Sequence, residues 1–354
     1  MRIALITDTH WGVRNDNMVF LDANKKFLDE TFFPTLESNS INHIVHLGDI
    51  VDRRKQISYL TANRLREDFL DKILQKGMTA DIIAGNHDCY YKNTNKVNAL
   101  TELIDSSYPN IKCYIDPTEV NLFGAPTLYL PWICEENREQ SMRMINETKS
   151  IICMGHLQIL GFEMFRGSIA THGEDRNIFD KFAITMSGHF HHKSTIGSIC
   201  YLGSHSEFTW SDYNDPRGFH IFDTETQDLK FISNPYRIFK KIWYDDREKE
   251  LEELLNFDPN QYNKTMLKII VTSKTNPYWF DLFCNKIEKS EPINMQIVED
   301  HFNITANDEA VTEQAESTLD IFKEYISNMN HSNLNKNKLE NVIIDLYNEA
   351  QLVA

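Results

Sequence analysis

Glycine disappears from this chain after Gly218: all 13 glycines lie at or before that residue, and 219–354 has none. Tight loops and close backbone approach to ligands favour glycine, so a site-bearing domain is expected to end near 218. Cysteine is scarce and scattered. Its six positions, 89, 113, 134, 153, 200 and 284, contain no Cys-x-x-Cys pair, which argues against a disulfide framework and for reduced thiols in a cytoplasmic protein. No apolar stretch approaches membrane-span length, so no membrane association is expected. Positive charge is in deficit, with 36 Lys+Arg against 52 Asp+Glu and a net charge of −16. That deficit argues against a broad basic face for nucleic acid. A role on DNA would then need metal ions at the phosphate, a local basic patch, or a partner that holds the polymer.

What is present is more pointed. The 354 residues are 41% hydrophobic and 25% charged, ordinary for a globular protein with room for two domains. The chain opens directly with a strand-like run, which does not read as a cleaved signal. Five short apolar runs, Ile3–Ile6, Ile44–Leu47, Asp81–Ala84, Ile151–Met154 and Ala183–Met186, read as buried strands. They end in Asp8-x-His10, Gly48-Asp49-x-x-Asp52, Gly85-Asn86-His87-Asp88, Gly155-His156 and Gly188-His189-x-His191. Open sheets gather ligands at the carboxyl ends of their strands, and carboxylate, amide and imidazole together suit divalent cations.

Hydrolysis of a phosphodiester needs a nucleophile at neutral pH, in-line attack and relief of charge on the equatorial oxygens. Two metals sharing one carboxylate can supply all three. Asp49, after a glycine at a strand end, suits the shared position. Asp8 and His10 lie two apart on an extended chain and can bind one ion. Asn86 offers a carbonyl oxygen, and His156, His189 and His191 offer imidazoles. His87 is expected to protonate a leaving oxygen or stabilise the phosphorus centre, Asp88 to fix its tautomer, and Asp52 to orient a neighbouring group.

The order of these five motifs resembles the calcineurin-like metallophosphoesterases and spans Asp8 to His191. The resemblance implies a two-sheet α-β-β-α sandwich. It places Asp8, His10, Asp49 and His191 on one metal and Asp49, Asn86, His156 and His189 on the other, with His87 catalytic. Tyr129-Leu-Pro-Trp132, Tyr201-Leu-Gly-Ser204 and Arg217-Gly-Phe-His-Ile-Phe222 resemble SbcD-type DNA exonuclease subunits, including those of phages that pair with an SMC-like ATPase. That likeness implies a nuclease of DNA end processing, recombination and repair, 3′→5′ exonucleolytic on duplex and endonucleolytic on single strands. It implies manganese as the activating ion, although the ligand set alone does not separate manganese from magnesium, iron, zinc or cobalt. It also implies a homodimer within a heterotetramer, in the host cytoplasm for a phage-encoded chain. Several cellular relatives carry histidine where this chain has Asp52, and Asp52-Arg53 resembles protein phosphatases. The alternatives are a protein phosphatase or nucleotide phosphodiesterase on the same fold, or a non-catalytic scaffold for the ATPase.

The expected organisation is a nuclease domain over 1–218, a small α/β capping domain over 219–302, an acidic linker over 303–317 and an ATPase-binding helical tail over 318–354. Tail positions Leu319, Phe322, Ile326 and Met329, then Leu339, Val342, Ile343, Leu346 and Tyr347, each trace one helical face. Either the tail folds back on its own domain or it docks in a partner's groove. The stripe Leu65, Phe69 and Ile73 within Leu60–Leu74 suits a dimer contact or core equally. Arg237, Lys240 and Lys241 form a small basic cluster that either touches DNA or lies along a solvated strand edge. Trp11 either stacks on a base or packs beneath a loop, and His192 and His205 lie close in sequence to the site loops.

Overall fold

The computed structural model describes residues 1–165 and 167–299; the expected acidic linker and helical tail lie outside the described residues. Strands β1 (Arg2–Ile6), β2 (His43–His46), β3 (Thr79–Ile83) and β4 (Ile111–Tyr114) run parallel and side by side. The chain then builds a second sheet from β5 (Thr118–Leu122), β6 (Ala125–Leu130) and β7 (Ile152–His156). A small hairpin follows, of β8 (Glu163–Phe165) and β9 (Ser168–Ile169), before β10 (Ile184–Gly188), β11 (Ser194–Ile196) and β12 (Ile199–Tyr201) complete the sheet. Its order is β11-β12-β10-β7-β6-β5. Strands β13 (Gly218–Asp223) and β14 (Leu229–Ser233) return to the first sheet as an antiparallel edge, giving β14-β13-β1-β2-β3-β4.

Period-2 alternation explains why both faces of these strands are apolar. Ile3, Leu5, Val45, Leu47 and Ile83 point between the sheets, where they meet Tyr129, Ile152, Met154 and Met186. Their neighbours Ala4, Ile6, Ile44, Ala80 and Ile82 point outward against Phe27, Phe32, Phe33, Leu65, Phe69 and Ile73 of the helical segments. On the far side Leu128, Leu130 and Cys153 pack with Ile145 of the helix Arg138–Glu147 and with Phe162, Phe179 and Phe182. Each of these fully buried large side chains contributes roughly 1.5–3 kcal/mol relative to exposure. The four layers are helix, sheet, sheet, helix, as the sequence resemblance implied.

Two expectations need correction. The stripe of Leu65, Phe69 and Ile73 is core, at 0–1% exposure, and is not available for a dimer contact. The boundary expected at 218 falls later, because β13 and β14 hydrogen-bond into the first sheet. One compact unit comprises Met1–Lys240, Asp258–Leu267 and Ile287–Met295. Glycine depletion marks the end of the site loops, not the end of the sheet that carries them.

The second unit begins at Lys241 and takes in Lys241–Phe257 and Lys268–Lys286. Through it runs a three-stranded sheet of order β15-β16-β17, with β15 at Phe239–Asp245, β16 at Met266–Ser273 and β17 at Asn294–Glu299. The Tyr244 ring packs edge-on to Phe280 and Phe283 of the helix Pro277–Glu288 at 4.9 and 5.0 Å. Asp246 accepts the N–H groups of Thr275 and Asn276, each at 2.8 Å, just ahead of that helix. Among the described residues no helix is long and apolar enough to cross a membrane.

Candidate metal centre

All five expected strand endings arrive at one place, beyond the carboxyl ends of β1, β2, β3, β7 and β10. The backbone there is unusual. Asp8, His10, Asp49 and His189 have φ of 51, 42, 54 and 88°, left-handed conformations that non-glycine residues seldom adopt and that cluster at functional sites. Two glycines allow the loops to close on one another. A Cβ at Gly48 would lie 2.4 Å from His156 Nδ1, and one at Gly85 would lie 2.2 Å from Asp49 Oδ1.

Asp8, His10 and His191 present ligand atoms within 4.8 Å of one another, and so do Asp49, His156 and His189. His10, Asp49 and His87 form a third such group, which places Asp49 between the other two. Asn86 Oδ1 stands 3.0 Å from His156 Nε2 and 2.9 Å from His189 Nδ1. His156 donates its Nδ1 proton to the Leu47 carbonyl at 2.8 Å. In the neutral ring Nε2 therefore carries a lone pair, aimed at Asn86 Oδ1 and, at 3.2 Å, at Asp49 Oδ2. Three acceptors facing one point repel each other unless a cation lies among them. On the opposite side His10 Nε2 lies 3.0 Å from His191 Nε2, 3.8 Å from Asp49 Oδ2 and 4.0 Å from Asp8 Oδ1. This donor set fits divalent cations of the N/O-preferring kind.

The electrostatics agree. Burial pushes Asp49 up, but His156, His87 and His10 prevail and hold it well below the usual carboxylate range. Burial pushes His10 down, and Asp52, Asp49 and Asp8 reverse this to raise it to about 9. His156 is likewise lowered by burial and raised overall to about 9 by Asp49 and Asp8. Burial, then the charge of His156, takes His189 down to about 3. The buried carboxylates thus create a potential that draws positive charge into the cluster, whether proton or metal.

His87 is half-buried beside these groups, edge-on to the His10 ring at 4.9 Å. Its N–H donates to Asp49 Oδ1 at 2.7 Å, and its Nδ1 pairs closely with the Asp52 carbonyl. A carbonyl only accepts, so Nδ1 holds the proton. Asp88, expected to fix this tautomer, does something else. Its carboxylate accepts four backbone N–H groups, from Gly85 (2.8 Å), Asp49 (2.9 Å), Ile50 (2.9 Å) and Val51 (3.1 Å). It fastens the β2 loop to the β3 loop, and the Asp52 backbone does the orienting of His87. The Asp52 side chain faces His10 Nδ1 at 3.4 Å, in keeping with the orienting part expected of it.

Other side chains complete the surroundings without having announced themselves in sequence. Thr7 Oγ1 donates to Asp8 Oδ2 at 2.8 Å. The Trp132 ring lies 5.1 Å from His189, and Phe208 lies 5.5 and 5.6 Å from His10 and His191. Trp11 is 2% exposed and bridges to Val51, so it packs beneath the loop and is closed to a base. Arg237 is turned toward Glu207 and the Asp215 carbonyl, and Lys240 toward the Gln261 carbonyl. His205 is buried against Asn24, and His192 pairs with Asp215 at 3.0 Å.

Comparison with known proteins gives a consistent result. Residues 1–193 match the family described as calcineurin-like phosphoesterase. The chain is 31% identical over 332 residues to Exonuclease subunit 1 of Enterobacteria phage T4, covering 92% of each. It is 25% identical to the SbcD component of the nuclease SbcCD of Staphylococcus saprophyticus, covering 89% of this chain and 96% of that protein. The Staphylococcus epidermidis protein of the same name is 23% identical, covering 90% of this chain and 87% of its own.

Proposed function

This chain belongs to the calcineurin-like phosphoesterase family, and from that premise we propose that it is the nuclease subunit of a DNA-processing complex. The observation that carries the reading is the convergence of acceptor atoms on two sides of Asp49 at five strand ends. Asp8, His10, Asp49 and His191 would hold one divalent ion, and Asp49, Asn86, His156 and His189 the other. Bound there, the ions would polarise the phosphate and make water a competent nucleophile at neutral pH.

The chain's own residues do the rest. The Asp52 carbonyl keeps the His87 proton on Nδ1, which leaves Nε2 as the atom to hold a second proton and pass it to the leaving oxygen. Asp52 also steers His10 through its carboxylate, and Asp88 keeps the two loops in register. The relatives' names supply the substrate class, since they are called exonuclease or nuclease subunits. We extend this to 3′→5′ exonuclease action on duplex ends, endonuclease action on single strands and manganese as the metal. The partner would be an SMC-like ATPase gripped by 318–354, with the nuclease as a homodimer in a heterotetramer. In that arrangement the first unit is the nuclease domain and the second a cap. The ATPase then supplies DNA affinity that a chain of net charge −16 lacks.

The test is a nuclease assay with manganese on 3′-labelled and 5′-labelled duplex and on single-stranded circles, with and without the candidate ATPase. Cleavage abolished by His87→Ala is the expected result, with the labelled end giving the polarity. No cleavage of DNA in any combination, alongside rapid hydrolysis of a phosphoprotein, would overturn it in favour of a phosphatase.

A further inference from the structure

Arg217 opens a motif shared with nuclease relatives yet has no part in the chemistry so far, and its guanidinium is 1% exposed. A buried guanidinium between carboxylates is often only structural, worth little or nothing in net stability. The partners here point elsewhere. Nη1 grips the backbone carbonyl of His191, and also donates to Ser204 Oγ at 2.7 Å. That same carbonyl accepts Ser204 N–H at 3.1 Å. Gly203, at φ +74°, permits the approach, since a Cβ there would lie 2.8 Å from the His191 oxygen.

Nη2 reaches Asp212 at 2.7 Å and Asp215 at 2.9 Å. Asp212 in turn accepts the N–H groups of Phe208 (2.8 Å) and Thr209 (2.9 Å). The Phe208 ring stands edge-on to both His10 and His191. Asp215 holds His192, the residue next to His191, at 3.0 Å. One guanidinium therefore fixes the His191 carbonyl directly, its neighbour through Asp215, and the ring that leans on two imidazoles through Asp212.

We propose that Arg217 is a positioning residue for the Asp8–His10–His191 side of the centre, so that its loss empties that metal position and leaves the Asn86–His156–His189 side loaded. The inference rests on the metal-centre reading. Partners of this kind, one step removed from the metal, typically change metal affinity 10–100-fold.

The experiment titrates the full-length protein with MnCl2 by calorimetry and electron paramagnetic resonance, with melting curves as a fold control. Wild type is expected to take up two equivalents with a spin-coupled signal. Arg217→Met is expected to bind one equivalent at wild-type affinity and the other at least about tenfold more weakly, with an uncoupled signal. Arg217→Lys, which keeps one donor and the charge, is expected to fall between them. A merely structural role predicts a lower melting temperature with two coupled equivalents retained, and that result would overturn the inference. Should both variants fail to fold, Ser204→Ala decides. A selective weakening of one equivalent supports the inference, and an unchanged titration overturns it. A wild-type protein that takes up no manganese overturns the metal-centre reading itself, and the inference with it.

Discussion

The two sides of the centre are built differently. On the Asn86–His156–His189 side the His156 ring is anchored to a main-chain oxygen, that of Leu47 at a strand end. On the Asp8–His10–His191 side the anchors are side chains: Asp52 behind His10 and Arg217 behind the His191 carbonyl. A backbone anchor survives any substitution that preserves the sheet, whereas a side-chain anchor can be removed or changed alone. The first side is fixed by the fold, and the second can be tuned by single residues.

Several substitutions would break or sharpen this contrast. The largest effect is expected from Asp49→Asn, which removes the charge common to both sides. Uptake of both manganese equivalents should weaken by at least about 100-fold, and phosphodiester hydrolysis should fall to background. If only one equivalent were affected, Asp49 would not be shared. Next comes His87→Ala, which should leave both equivalents in place while slowing hydrolysis by about 10²–10⁴-fold; a lost equivalent would make His87 a ligand.

Asp88→Ala leaves four backbone donors without their acceptor. It should cost about 3 kcal/mol or more in urea unfolding, because the loops it joins serve both sides equally. An unchanged midpoint would show that the loops hold without it. Asp52→Asn is expected to weaken the His10 side alone, about tenfold, with no effect on the His87 tautomer, which depends on the Asp52 backbone.

The smallest effect lies outside the centre, at His220. Burial, then the charge of Lys193, takes its pKa down to about 3 from an ordinary 6.5. Below pH 6.5 the unfolded chain takes up a proton there and the native chain does not. This share of stability is therefore present above 6.5 and lost as pH falls toward 3, at no more than about 1.4 kcal/mol per pH unit. His220→Phe should flatten that slope between pH 7 and 5 in urea titrations, showing how much acid sensitivity is unconnected with either side of the metal centre. An unchanged slope would assign the sensitivity elsewhere.

Much of this was legible in the residues. The five apolar runs coincide with β1, β2, β3, β7 and β10, since continuous apolarity is what a strand covered on both faces requires. Every residue expected as a ligand reaches the cluster, because each follows such a run within a few positions. What could not be read was the wiring behind them. Asp88 adjoins His87 in the chain yet turns away from it, a matter of loop geometry that no spacing reports. Arg217 sits 26 residues from the carbonyl it holds, with nothing local to mark it. The stripe at Leu65, Phe69 and Ile73 looked the same for core as for an interface, and the glycine boundary followed loops while the strand pairing continued past it.

The left-handed backbone at Asp8, His10, Asp49 and His189 bears on how this protein should be disabled for control experiments. Alanine at these positions removes a functional group and also burdens the chain with a conformation alanine dislikes, so a dead variant would conflate lost chemistry with a displaced loop. Asparagine tolerates that conformation far better than most residues. For the two aspartates, the asparagine exchange is the knockout whose silence can be read as chemistry alone.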